Sequence, residues 1–205
     1  MSVHKRVLGA VILALALAQA ANAQEKAVNV AVRGGGFNAV TDLDEAATAD
    51  FKKTGYNVGG TVGFDLSKYI ALRGDFTFAR NELQQNGIET GLELNRFFYD
   101  AGVQFQYDAS ALKPYVFLGA GAVTLHPVGT SDNDKTKFAG TGGLGVNYSI
   151  PGSNLGILVE GKGWVYEISE LADDLSSFDK TQFDVTWSAG LSYRFPFTKS
   201  AAVRQ

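Results

Sequence analysis

The 205-residue chain carries 18 Lys and Arg against 21 Asp and Glu, with 24 Gly, 4 Pro and no Cys. That acidic balance is the reverse of the clustered positive charge a nucleic-acid binder needs. The lack of Cys excludes a disulfide scaffold, a thiolate metal site, a Cys nucleophile and a lipid-modified N-terminal Cys.

The N-terminus reads as a removable secretory signal over residues 1–23. Lys5 and Arg6 are its only charges, residues 7–20 are apolar apart from Gln19, and Ala21, Asn22 and Ala23 supply small residues before Gln24. The apolar run is too short for the roughly 20 residues of a membrane-spanning helix. Removing it leaves a net charge of −5. One domain is expected over residues 24–197, with a short tail at 198–205.

From Ala27 onward the hydrophobic period is two, not 3.6. Segments at about 27–37, 56–66, 70–79, 94–107, 137–150, 155–166 and 182–195 alternate in this way. The last is the clearest. Phe183, Val185, Trp187, Ala189, Leu191, Tyr193 and Phe195 make one face, and Asp184, Thr186, Ser188, Gly190, Ser192 and Arg194 the other. Segment 114–126 is apolar on both faces, so its orientation is not readable from the pattern.

These are eight strands, most of them 10 to 14 residues long. Soluble strands average about 5–6 residues, whereas a tilted membrane strand needs about 9–11. Long polar connections at 39–54, 82–92, 127–136 and 168–180 alternate with short ones at 67–68, 109–113 and 151–154. Bacterial outer-membrane barrels join their strands in this way, with short periplasmic turns and longer extracellular loops. The aromatic residues follow the same division. Phe64, Tyr69, Phe105, Tyr107, Tyr115, Tyr148, Tyr193 and Phe195 fall at the short-turn ends, and Tyr56, Phe97, Phe138 and Phe183 at the opposite ends. The expected fold is therefore an all-β, eight-stranded antiparallel up-and-down transmembrane barrel with both termini periplasmic. A soluble lipocalin-like barrel would place the apolar face inward, and alternation alone does not say which face is which. Strand length and the sorting of the aromatics favour the membrane.

The chain resembles the small outer-membrane barrels of the OmpA-like, opacity-type porin superfamily. The resemblance rests on Ala21, Asn22 and Ala23, on the strand start at Lys113, Pro114, Tyr115 and Val116, on the glycine-rich run at 140–148, and on the closing strand at 187–195. It implies a barrel in the outer membrane beside lipid and lipopolysaccharide. It also implies delivery by periplasmic chaperones and the barrel-assembly machinery, with Trp187, Gly190, Leu191, Tyr193 and Phe195 forming the closing strand and assembly signal. Family members often end on the closing aromatic, whereas here ten residues follow Phe195. Those ten are too few for the peptidoglycan-binding domain of larger relatives.

Turning the polar faces inward gives a lumen lined by Arg33, Asp65, Arg73, Asp75, Asp100, Glu160, Lys162, Asp184 and Arg194. An eight-stranded barrel is just wide enough for side chains to fill it, and enclosed charges must be paired. A packed ion-pair network is expected, with Glu160 or Asp75 as the partner of Lys162. The inward glycines Gly35, Gly59, Gly63, Gly102, Gly143 and Gly156 leave room for a rival reading, a gated path for small solutes.

Other signals carry little chemistry. Gly140, Gly142 and Gly145 have dinucleotide-loop spacing but lie in a strand, with no helix to follow. His126 is the one histidine outside the signal, so a zinc site is excluded. It is followed by Pro127 and Val128 rather than a serine nucleophile, which argues against a lipid A-modifying hydrolase. Asp132, Asn133 and Asp134 begin like a calcium loop but lack its central Gly and terminal Glu. The expectation is a structural and surface-interaction protein with no catalytic residue, metal or cofactor. An extracellular partner, not named by the sequence, would meet the loops at 39–54, 82–92, 127–136 and 168–180.

Overall fold

The computed structural model describes residues 26–40, 49–51, 55–85, 88–128, 134–168 and 180–197. The expected signal at 1–23 and tail at 198–205 lie outside them. Among the described residues the strands are β1 (Ala27–Ala39), β2 (Ala49–Phe51), β3 (Gly55–Asp65), β4 (Ile70–Gln85), β5 (Ile88–Gln106), β6 (Leu112–Val128), β7 (Lys135–Ser149), β8 (Leu155–Ile168) and β9 (Lys180–Pro196). All but β2 form a closed antiparallel barrel of eight strands, each paired with its neighbours in the chain. The seam is β1 against β9, in register from Ala27↔Pro196 to Ala39↔Asp184.

The barrel turns its apolar face outward. Val62, Leu118, Leu144, Val159, Trp187 and Leu191 are all more than half exposed, whereas Arg33, Asp75, Glu160 and Lys162 are buried. A soluble barrel cannot leave such a band in water, so the question that alternation left open is answered in favour of the bilayer.

Three connections differ from the sequence-based expectation. Residues 82–92 are not a loop, because β4 and β5 stay paired out to Gln85↔Ile88. Only Asn86 and Gly87 lie between these strands, and Asn-Gly is the strongest two-residue hairpin signal. Alternation fades there because Leu83, Ile88 and Leu92 are the only large apolar residues between Glu82 and Glu93. The expected connection at 39–54 also contains β2, which pairs with β4 from Ala49↔Gln85 to Phe51↔Leu83. Because the β5–β6 ladder ends at Glu93↔Val128, a three-stranded flap of β2, β4 and β5 projects past the barrel rim. The connection at 127–136 is also shorter than expected, since β6 runs to Val128 and β7 begins at Lys135.

Candidate functional site

The lumen is built in three levels, of which the middle and upper ones each balance their own charge. At mid-height lie Arg33, Arg73 and Lys162 against Asp75, Asp100 and Glu160, all buried. Arg73 donates to Asp75 through Nη2 at 2.9 Å, with Nε 2.8 Å from the same carboxylate, and pairs with Glu160 through Nη1 at 2.6 Å. Arg33 Nη1 lies 2.7 Å from Asp75 and 3.6 Å from Glu160. Lys162 Nζ donates to Asp75 at 2.9 Å and to Asp100 at 2.7 Å. Since β8 and β4 are separated by three strands either way around the barrel, the Arg73–Glu160 and Lys162–Asp75 bonds join opposite walls. Tyr115 donates at 2.8 Å to the Glu160 oxygen that Arg73 also holds, and Trp164 Nε1 donates at 3.2 Å to the Asp100 oxygen that Lys162 leaves open.

Small residues make this crossing geometrically feasible. Arg33 faces Gly59 and Gly190 on its two neighbouring strands, and Arg73 faces Gly63 and Gly102. Lys162 faces Gly143, and Glu160 faces Gly145. A long side chain leans across the lumen more readily where a lateral neighbour presents no side chain; Lys162 and Glu160 have such a neighbour on one side and the small Thr186 and Ser188 on the other. The space is used: a Cβ added at Gly145 would meet the Tyr115 hydroxyl at 2.5 Å, and one at Gly143 would meet Lys162 Cγ at 3.3 Å. The room expected beside the inward glycines is thus filled at these positions.

Toward the long connections the lumen becomes apolar. Phe37, Phe98, Val123, Leu125, Trp164 and Tyr166 form a buried cluster, with Phe98 stacked on Trp164 at 4.4 Å between ring centroids. Inside it lies a second balanced pair, Arg96 and Asp184, 3.4 Å apart and both fully buried. Tyr166 donates to Asp184 at 2.6 Å, Gln182 donates to it at 3.0 Å, and Arg96 also contacts Asn81 and lies over the Phe37 ring.

Toward the short turns the lumen opens into a polar vestibule. Asp65 accepts from Asn29 at 2.9 Å and faces Arg194 at 3.4 Å. Above it Gln104, Gln106 and Asn147 line a narrow chamber that ends at Arg73 and Tyr115.

The expected lining residues therefore occupy distinct places. Arg33, Arg73, Asp75, Asp100, Glu160 and Lys162 share one network, Asp184 belongs to the upper pair, and Asp65 belongs to the vestibule. Arg194 lies at the rim with 36% of its side chain exposed, not in the packed interior. Glu160, one expected partner of Lys162, serves Arg73 and Arg33 instead. Arg96 was missed, although it shares a face with Asp100. Tyr115, expected in the interfacial girdle, points inward to Glu160. Of the closing-strand residues, Trp187, Leu191, Tyr193 and Phe195 are exposed on the outer face, while Gly190 lies against Arg33 in the wall. His126 is half exposed and bonded to Asp134 at 2.5 Å, at the base of the β6–β7 connection.

The outer membrane protein beta-barrel domain, as a family model, matches residues 9–195. The chain belongs to this family of outer-membrane β-barrels. Among solved structures it is similar to Neisserial surface protein A, with 16% identity and a TM-score of 0.59 over 82% of this chain and 99% of that one. It is also similar to OprG of Pseudomonas aeruginosa, with 16% identity and a TM-score of 0.52 over 84% of this chain and 98% of that one. At such identities the likeness concerns the fold. A search of curated proteins finds no match. Family and fold together place the barrel in a bacterial outer membrane.

Proposed function

We propose that this protein is a non-conducting outer-membrane barrel with a structural and surface-interaction role. In this reading residues 1–23 are removed on export, chaperones and the assembly machinery deliver the chain, and the short-turn end faces the periplasm. The observation that carries the reading is the pair of cross-lumen bonds, Arg73–Glu160 and Lys162–Asp75, beneath the Phe98–Trp164 stack. A solute crossing the barrel would have to break buried ion pairs and part an aromatic cluster. Breaking one such pair typically costs about 3–5 kcal/mol.

The interaction role is supported by the flap of β2, β4 and β5, whose backbone extends beyond the rim. A projecting sheet edge is a template for an added strand. The reading includes no catalysis. His126 is held by Asp134, and Thr124, two residues before it on β6, is engaged by Thr136 at 2.9 Å and by the Tyr99 hydroxyl at 3.1 Å.

Planar-bilayer recording tests the reading. The protein should insert without steady conductance. A stable, reproducible channel in the wild type would overturn it in favour of a solute path.

A further inference from the structure

We infer that the vestibule at the short-turn end is a binding site for a small hydroxylated carboxylate. Its mouth is a cavity of about 220 Å³ bounded by Lys68, Lys113 and Arg194 against Asp65 and Asp108. Among the described residues that bound it, three cations face two anions, an excess of one positive charge. Arg194 Nε is buried and has no hydrogen-bond partner among the described residues. The ion pairs at this level are loose, at 3.4 Å for Arg194–Asp65 and 3.3 Å for Lys113–Asp108, in contrast to the 2.6–2.8 Å ion pairs of Arg73 deeper in. An added anion therefore finds donors whose existing partners hold them weakly.

The shape narrows the ligand class further. Asp65, Gln106 and Lys113 line both the mouth and the chamber behind it, so the two are continuous. The chamber, about 70 Å³, holds the carboxamides of Asn29, Gln104 and Asn147 and the Ser192 hydroxyl. Such a volume takes a few water-sized groups. Carboxamides both donate and accept, which suits alcohol groups. A carboxylate lodged between Lys113 and Arg194 would thus direct its hydroxyls toward Gln104 and Asn147. Its path ends at Arg73, whose guanidinium is already engaged by Asp75 and Glu160. Binding from one side needs no passage, so the inference stands apart from the non-conducting reading.

The test is amide NMR on the barrel folded in lipid nanodiscs and titrated with sodium glycerate. Glycerol and sodium chloride at matched ionic strength serve as controls, and inorganic phosphate as a second anion. Glycerate should give saturable shifts around Gln106, Lys113 and Arg194. Arg194→Gln combined with Lys113→Gln should weaken binding at least about tenfold, and Arg194→Lys should retain most of it. Heat-modifiable gel migration checks that each variant is folded. Shifts that chloride reproduces, equal saturation by glycerol, or an unchanged affinity in the folded double variant would overturn the site. Phosphate binding tighter than glycerate at the same residues would overturn the carboxylate assignment.

Discussion

Asp75 and Asp100 stand directly opposite each other on β4 and β5, and the single ammonium of Lys162 bonds both carboxylates. Like charges directly across a ladder destabilise a sheet. The contact between β4 and β5 at this height therefore depends on a cation delivered from the far wall. Arg73 and Arg33 also serve Asp75, whereas Asp100 is held, among the described residues, by Lys162 and the Trp164 N–H.

Lys162→Met should lower the urea unfolding midpoint more than any single loss of a rim charge, at a cost of about 3–5 kcal/mol. Adding Asp100→Asn should recover part of that loss, because it removes the carboxylate left without a cation. Equal midpoints for the single and double variants would show that the carboxylate is not held by Lys162.

The upper pair should be as demanding as the middle network. Arg96→Met leaves Asp184 fully buried with only neutral donors, Tyr166 and Gln182, and should destabilise by a similar few kcal/mol. Tyr166→Phe removes one hydrogen bond to a charged group and should cost about 1.5–3 kcal/mol. The same urea titration in lipid reads both.

The two tryptophans report on opposite faces of the wall. Trp187 is 59% exposed on the lipid side, while Trp164 is 1% exposed inside the lumen. Brominated acyl chains should quench fluorescence in Trp164→Phe, which retains only Trp187. They should leave Trp187→Phe nearly unquenched.

Charge on the outer face should obstruct assembly. Leu191→Arg and Val62→Arg each place a guanidinium in the apolar band, at about 2–4 kcal/mol near the midplane. Ser192→Arg should be milder, since Ser192 lines the vestibule. Equal yields of folded, heat-modifiable protein from all three would contradict the face assignment.

Orientation can be read by thiol labelling of intact cells. Cysteines at Lys68, Ser110 and Ser153, on the short turns, should resist a membrane-impermeant reagent. Cysteines at Asp44, Gly87, Asn133 and Asp174 should react with it. The reverse pattern would invert the proposed topology.

The strands were legible in the sequence wherever their two faces meet different surroundings. In β9, lipid on one side and a polar lumen on the other impose the alternation of Phe183 to Phe195 directly. Legibility failed where that contrast disappears. Leu94 and Phe98 flank Arg96 on an inward face that is itself apolar, so a rule that sends polar faces inward passes over the arginine. Tyr115 lies on a strand that is apolar on both sides, and only its hydroxyl marks the inner one. The partners of Lys162 depend on which strands face each other once the barrel closes. That pairing is set by all eight ladders together and is written in no local stretch. Between Glu82 and Glu93 the large apolar residues Leu83, Ile88 and Leu92 are too few to leave a pattern to read.

The seam between β1 and β9 also sets a condition on biosynthesis. Every other ladder of the barrel joins strands that are near in sequence, but Ala27 meets Pro196, almost the full chain away. A ribosome or protease that stops short of β9 leaves a sheet with two raw backbone edges, and in hydrocarbon unpaired amides and carbonyls are not tolerated. The closing ladder thus acts as a completeness check, since only a chain that retains its final strand can leave the water.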